Sequence, residues 1–234
     1  MIRRLLVIAV LLGAATLMSP GAGATTLHTS GAAAPHPSGA AAPSAVYDVR
    51  GGDQFFVNTT GRCVIGFSVT GGYVTAGACG RAGDVTQGHN RVAQGVFRSS
   101  SWPNPGSAYV AVNSSWIPRG VVNRHDGTTA PVRGGTPAPV GSAACRSGPV
   151  TGWHCGVIQA RNVTVTFPQG TLYGLIRTNI CAEPGEIGSP LIAGDQAQGI
   201  LIAASGNCSS GGTSFYLPIP EILARHGVGL ITSR

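Results

Sequence analysis

The chain has 234 residues, of which 43% are hydrophobic and only 10% charged, and it carries a formal net charge of +7. Every Lys-or-Arg position is an arginine, and apart from Arg3-Arg4 the arginines stand singly along the chain. No run or stripe of positive charge offers a phosphate-reading face, so a nucleic-acid partner is not expected.

Residues 1–24 have the three parts of an export signal: Arg3 and Arg4, an apolar stretch from Leu5 to Met18, and the A-x-A site Ala22-Gly23-Ala24. The apolar stretch is shorter than the ~20 residues a membrane span needs. Cleavage before Thr25 and a secreted, extracellular product without a membrane span are therefore expected. Losing Arg3 and Arg4 leaves 13 arginines against 8 acidic residues, a net charge of about +5. Such a cationic chain can adhere to anionic cell-wall polymers.

Residues 25–45 are rich in Ala, Pro, Gly, Ser and Thr and lack the side chains for a core; they read as a disordered leader. Residues 46–234 form the folded unit, at roughly 190 residues long enough for one substantial core. Short runs of Val, Ile and Thr, separated by Gly, Pro and Asn, predict an all-β sandwich or barrel. Only Pro220–His226, closed by Gly227, reads as a helix with a glycine stop. Six cysteines in an exported chain imply disulfides, with 15 possible connectivities. Their spacing has no paired C-x-x-C, so no metal is expected. No phosphate loop or dinucleotide fingerprint is visible, and no cofactor is expected.

Several ordered motifs then stand out. They are Val49-Arg50-Gly51-Gly52-Asp53, Thr60-Gly61-Arg62-Cys63, Val74-Thr75-Ala76-Gly77-Ala78-Cys79-Gly80, Trp102-Pro103-Asn104-Pro105-Gly106-Ser107-Ala108-Tyr109-Val110, and the Cys145–Cys155 segment. Cys181-Ala182-Glu183-Pro184-Gly185-Glu186-Ile187-Gly188-Ser189-Pro190-Leu191 and Ser205-Gly206-Asn207-Cys208 complete the set. Together they resemble the secreted bacterial chymotrypsin-fold serine proteases, the α-lytic protease and streptogrisin group, from about Asp48 to Leu230. The resemblance implies two antiparallel six-stranded Greek-key barrels, over about 46–120 and 121–230, with a C-terminal helix. It also implies disulfides Cys63–Cys79, Cys145–Cys155 and Cys181–Cys208.

In that family a His, an Asp and a Ser form the catalytic relay. The matching positions here hold Ala78, Gly106 (Ser107 with a one-residue slip) and Ile187. Glu186 replaces an Asp before the nucleophile position, and Ser189 replaces a glycine after it. Ile202, Ala203 and Ala204 replace a serine and two glycines on the strand beside the cleft. Ala78, Ile187 and Ile202 are expected to share one apolar patch. Alanine, glycine and isoleucine side chains can neither attack a carbonyl nor move a proton.

The resulting expectation is a monomeric protein that is not an enzyme and acts by binding. A peptide, a protease inhibitor or a cell-wall component would be its partner. Its binding framework would be the oxyanion loop Gly185, Glu186 and Ile187 with the cleft strand Ile202, Ala203 and Ala204. Two other readings stand beside it. One is a serine endopeptidase with relocated or residual hydrolysis, for which Ser189, His89 and His154 are the groups to consider. The other is a vestigial fold.

Overall fold

A computed structural model describes residues 45–58 and 61–234. The export signal and almost all of the leader expected from the sequence lie outside the described residues.

The first half of the domain holds β1 (Tyr47–Gly51), β2 (Gln54–Val57), β3 (Gly61–Val64), β4 (Phe67–Val69), β5 (Gly72–Ala76), β6 (Val85–Gln87), β7 (Ala93–Ser100) and β8 (Ser107–Val112). Next come β9 (Trp116–Asn123) and β10 (Thr129–Pro131). The second half holds β11 (Ala143–Gly148), β12 (Gly152–Phe167), β13 (Gly170–Thr178), β14 (Pro190–Ala193), β15 (Gln196–Asn207), β16 (Gly211–Pro218) and the helix α1 (Ile219–His226).

The fold is all-β and chymotrypsin-like, as expected, with two barrel-like sheets and one terminal helix. The second sheet is a closed six-stranded barrel in the order β11-β12-β13-β16-β15-β14. The first differs in detail from six antiparallel strands. It has seven strands, ordered β3-β2-β6-β7-β8-β5-β4. Its two outer strands, β3 and β4, are joined only by Ile65-Gly66, so one bent segment carries the sheet round on itself. Gly66 is required at that bend, because a Cβ there would overlap the Ile200 side chain of the second barrel. A third sheet, β1-β9-β10, contains the parallel pair β1–β9. β9 runs without a break through the junction expected at residues 120–121.

Burial of alternate or continuous apolar runs sets these elements. β5 is buried at all five positions, as a central strand covered on both faces should be. Phe55, Tyr73 and Phe97 stack at its side, with ring centroids 5.2 and 6.2 Å from Phe55. The helix α1 buries Ile219 and Ile222 and ends at Gly227, whose φ of 63° lies in the left-handed region. Three disulfides join Cys63 to Cys79, Cys145 to Cys155 and Cys181 to Cys208.

Candidate active site

The loop from Cys181 to Ser189 is held from behind by a buried ion pair. Arg146 on β11 and Glu186 are both fully buried, with Nη1 3.0 Å from Oε2. The Glu186 carboxylate also accepts from the Glu183 N–H at 2.8 Å, the Thr151 N–H at 3.0 Å and the Thr151 hydroxyl at 2.8 Å. Arg146 Nε donates to the Cys181 carbonyl at 3.0 Å. Burial alone would push the Glu186 carboxyl upward. The Glu183 N–H, the Arg146 charge and the Thr151 donors outweigh it and hold the pKa below the ordinary value. Gly148 leaves room for this pair, since a Cβ there would overlap Oε1.

The loop's backbone is equally constrained. Gly185 and Gly188 both have φ of 94°, a conformation that favours glycine. The Ile187 carbonyl accepts from the Val64 N–H at 2.9 Å, and the Gly188 N–H donates to the Leu201 carbonyl at 2.9 Å. Among the described residues, the N–H groups of Gly185 and Ile187 have no hydrogen-bond acceptor. The Cys181–Cys208 disulfide and a 2.8 Å bond from the Cys208 N–H to Glu183 tie the loop to the end of β15.

Three positions singled out in the sequence come to this region with unequal surroundings. Ala78 sits on a single 3-10 turn, Gly77–Cys79, and is exposed. It lines a cavity of about 570 Å³ with Asn58, Arg81, Asp84, Ser100 and Trp102. Ile187 is half-buried and packs against two apolar clusters, a larger one built from both halves of the domain and a smaller one within the second half. Ile202 is buried in the larger cluster, whereas Ala78 is exposed and not part of it, so the expected apolar patch does not include Ala78.

Gly106 is buried, and its carbonyl accepts from the Gly77 N–H at 2.9 Å. Its φ is 82°, and a Cβ there would lie 3.0 Å from the Pro103 carbonyl and 3.1 Å from Leu172. A side chain of any kind is therefore disfavoured at this position. Ser107 is also buried, but its Oγ bonds His226 Nε2 on α1 at 3.0 Å.

The relocated groups considered from the sequence do not assemble. Ser189 is fully buried, and its hydroxyl has no partner among the described residues. His89 is exposed beside the edge of Trp116, at 5.8 Å between ring centroids. The His154 Nδ1 lies 3.6 Å from Cys181 Sγ, which is committed to a disulfide. Sequence reasoning missed two features. Arg146 gave no signal that it would be buried under the nucleophile loop. His226 was visible only as part of a terminal helix, and its two serine partners lie more than a hundred residues earlier.

β15 offers the remaining feature of the cleft. It pairs with β14 only from Gln196 to Ile200, and with β16 along most of its length. Ala203 and Ala204 pair with Phe215 and Ser214 on the β16 side. Among the described residues their opposite edge has no strand partner, and Ala204 is exposed. An unpaired strand edge can take an extended peptide as an added strand.

Comparison with known proteins places this geometry. The trypsin family model matches residues 53–225. Streptogrisin-C of Streptomyces griseus is 49% identical over 193 residues, covering 81% of this chain and 42% of that protein. Streptogrisin-D of the same organism is 38% identical over 187 residues, covering 76% and 47%. The chain thus spans less than half the length of these two relatives. Among solved structures, the Cellulomonas bogoriensis chymotrypsin matches with a TM-score of 0.75 and 48% identity, covering 80% of this chain and all of that one. The Nocardiopsis protease matches at 0.74 and 43%, covering 79% and all of that chain.

These findings overturn the expectation that the chain is not an enzyme. Relatives at up to 49% identity are named proteases, and the solved neighbours are proteases too. The chain belongs to the trypsin family of serine proteases, among its streptogrisin-like members.

Proposed function

We propose that this chain is an exported serine-endopeptidase-family hydrolase that holds an extended polypeptide in its cleft and cleaves it slowly. The observation that carries the reading is the Gly185–Ile187 loop. Its two uncommitted N–H groups stand on a backbone locked by Arg146–Glu186 and the Cys181–Cys208 disulfide. Such paired donors stabilise the oxyanion that forms when a carbonyl is attacked. Ala78, Gly106 and Ile187 stand where the family carries its base, orienting acid and nucleophile. Water must then act as nucleophile, and an oxyanion hole with substrate binding supports roughly 10³–10⁴-fold over the uncatalysed reaction.

Binding would run along the free edge of β15 at Ala203 and Ala204. Export is supported by the three disulfides. Among the described residues, no helix is long and apolar enough to cross a membrane.

The test is turnover of a library of extended peptide anilides by the purified protein and by Glu186→Ala. Slow hydrolysis that falls at least about tenfold in the variant supports the reading, since the variant unlocks the loop. Hydrolysis indifferent to Glu186 contradicts it.

A further inference from the structure

His226 lies outside the cleft described above, yet it is wired between two serines. Ser99 Oγ on β7 is 2.8 Å from its Nδ1, and Ser107 Oγ on β8 is 3.0 Å from its Nε2. Ser107 is fully buried, whereas Ser99 is only half-buried. Ser99 and His226 line a cavity of about 360 Å³ with Ser100, Ser101, Pro105 and Arg225. The β7–β8 pairing shifts register between Phe97 and Ser99, a bulge of the kind that re-aims a side chain beside a functional site. Ser100 also lines the larger cavity beside Ala78, so the two cavities adjoin. Its own hydroxyl is spent on the Gly77 and Gly80 carbonyls.

We propose that Ser99, His226 and Ser107 form a second nucleophilic centre that cleaves small carboxylic esters. Hydrogen-bond reach between nucleophile and base, and a third group that orients the base, are the requirements for such a centre. With Nε2–H donated to Ser107, Nδ1 accepts the Ser99 proton. Ser99 Oγ attacks the ester carbonyl carbon and forms an acyl–oxygen bond. The carbon–alkoxy bond breaks, and the alkoxide leaves with the proton held on Nδ1. Water then attacks the acyl-Ser99 ester, gives its proton to Nδ1, and releases the acid as Ser99 regains that proton. Arg225 supplies positive charge in the same cavity for the oxyanion. His226 closes α1, where the carbonyl end of the helix favours the imidazolium that forms in each step. Ser107 is a positioning residue. A neutral hydroxyl in place of a carboxylate makes the centre slow, on the order of 10⁴-fold below an Asp-oriented relay.

The geometry also fixes a pH signature. Burial first, and the Arg225 charge second, hold His226 below the ordinary histidine value. Arg225 on its own helix and Tyr109 from β8, 6.4 Å between rings, are the charged and titratable groups that face it among the described residues. Labelling of Ser99 should therefore rise with pH to a midpoint below about 6.5, the unperturbed imidazole value, and then level.

The experiment is reaction of the full chain with a fluorophosphonate probe, read by peptide mapping. The expected result is an adduct on Ser99, formed at least 100-fold more slowly in His226→Gln, with the low-pH midpoint above. In Ser107→Ala the maximal labelling rate should fall while the half-saturating probe concentration stays put. Absence of an adduct on Ser99 overturns the proposal. So does labelling whose midpoint lies at or above about 6.5, the unperturbed imidazole value, a readout on the wild-type protein that holds even if His226→Gln fails to fold. The readout is an adduct at Ser99, not peptide turnover, so it stands or falls separately from hydrolysis in the cleft.

Discussion

A carboxylate with no solvent exposure persists only among partners, and Glu186 has four of them: Arg146, the Glu183 N–H and both donors of Thr151. Removing one charge strands the other. Arg146→Met should cost about 3–5 kcal/mol of stability at neutral pH, measurable by urea unfolding. The pH dependence has a definite sign. The folded pKa of Glu186 is depressed from its ordinary 4.5, so its contribution is complete above that value and lost as pH falls through the folded pKa. Melting curves between pH 7 and pH 3 should show a steeper acid loss for the wild type than for Glu186→Gln. Ser189 tests the opposite case, a buried hydroxyl with no partner. Ser189→Ala should leave peptide turnover intact and change stability by no more than about 1 kcal/mol, in the stabilising direction. At this scale the sequence was legible where family motifs fixed a position, as at Glu186. It was silent on what each side chain would touch, because Thr151 and Arg146 reach Glu186 across 35 and 40 residues of chain.

The nucleophile loop works as an element because glycine supplies its turns. Gly188 has φ of 94°, and a Cβ there would overlap the Val64 carbonyl and Thr75 Oγ1. Gly188→Ala should therefore cost at least about 2 kcal/mol and lower turnover with it, as thermal unfolding and peptide assays would show. Strand periodicity and turn residues made the all-β class and the terminal helix readable in the chain itself. The bent β3–β4 segment, the seventh strand and the parallel β1–β9 pair were not readable, because closure and pairing partners depend on contacts far apart in sequence. Gly106 was readable only as the residue standing where the resemblance expects a carboxylate. Its left-handed backbone, which disfavours restoring one, was visible only in three dimensions.

Across the described residues, the larger apolar cluster is built from both halves of the domain, and Ile187 packs against it and against a smaller cluster within the second half. Cys181–Cys208 closes a loop of 27 residues beside it. Replacing both cysteines by alanine should cost about 3–4 kcal/mol on the loop-entropy account. We read membership of a protease family, with Ala78, Gly106 and Ile187 at the positions that the resemblance assigns to the relay, as slow hydrolysis supported by the Gly185–Ile187 loop. The most direct measurement of that claim is kcat/KM on an extended peptide anilide for the wild type and for Ala78→His/Ile187→Ser, both checked for a cooperative melting transition. Gly106 is left alone because its backbone opposes a side chain. The account predicts slow but measurable turnover in the wild type and a gain on the order of 10²-fold or more in the double variant, as a nucleophile and base join an existing oxyanion hole. A folded double variant no faster than the wild type would contradict it.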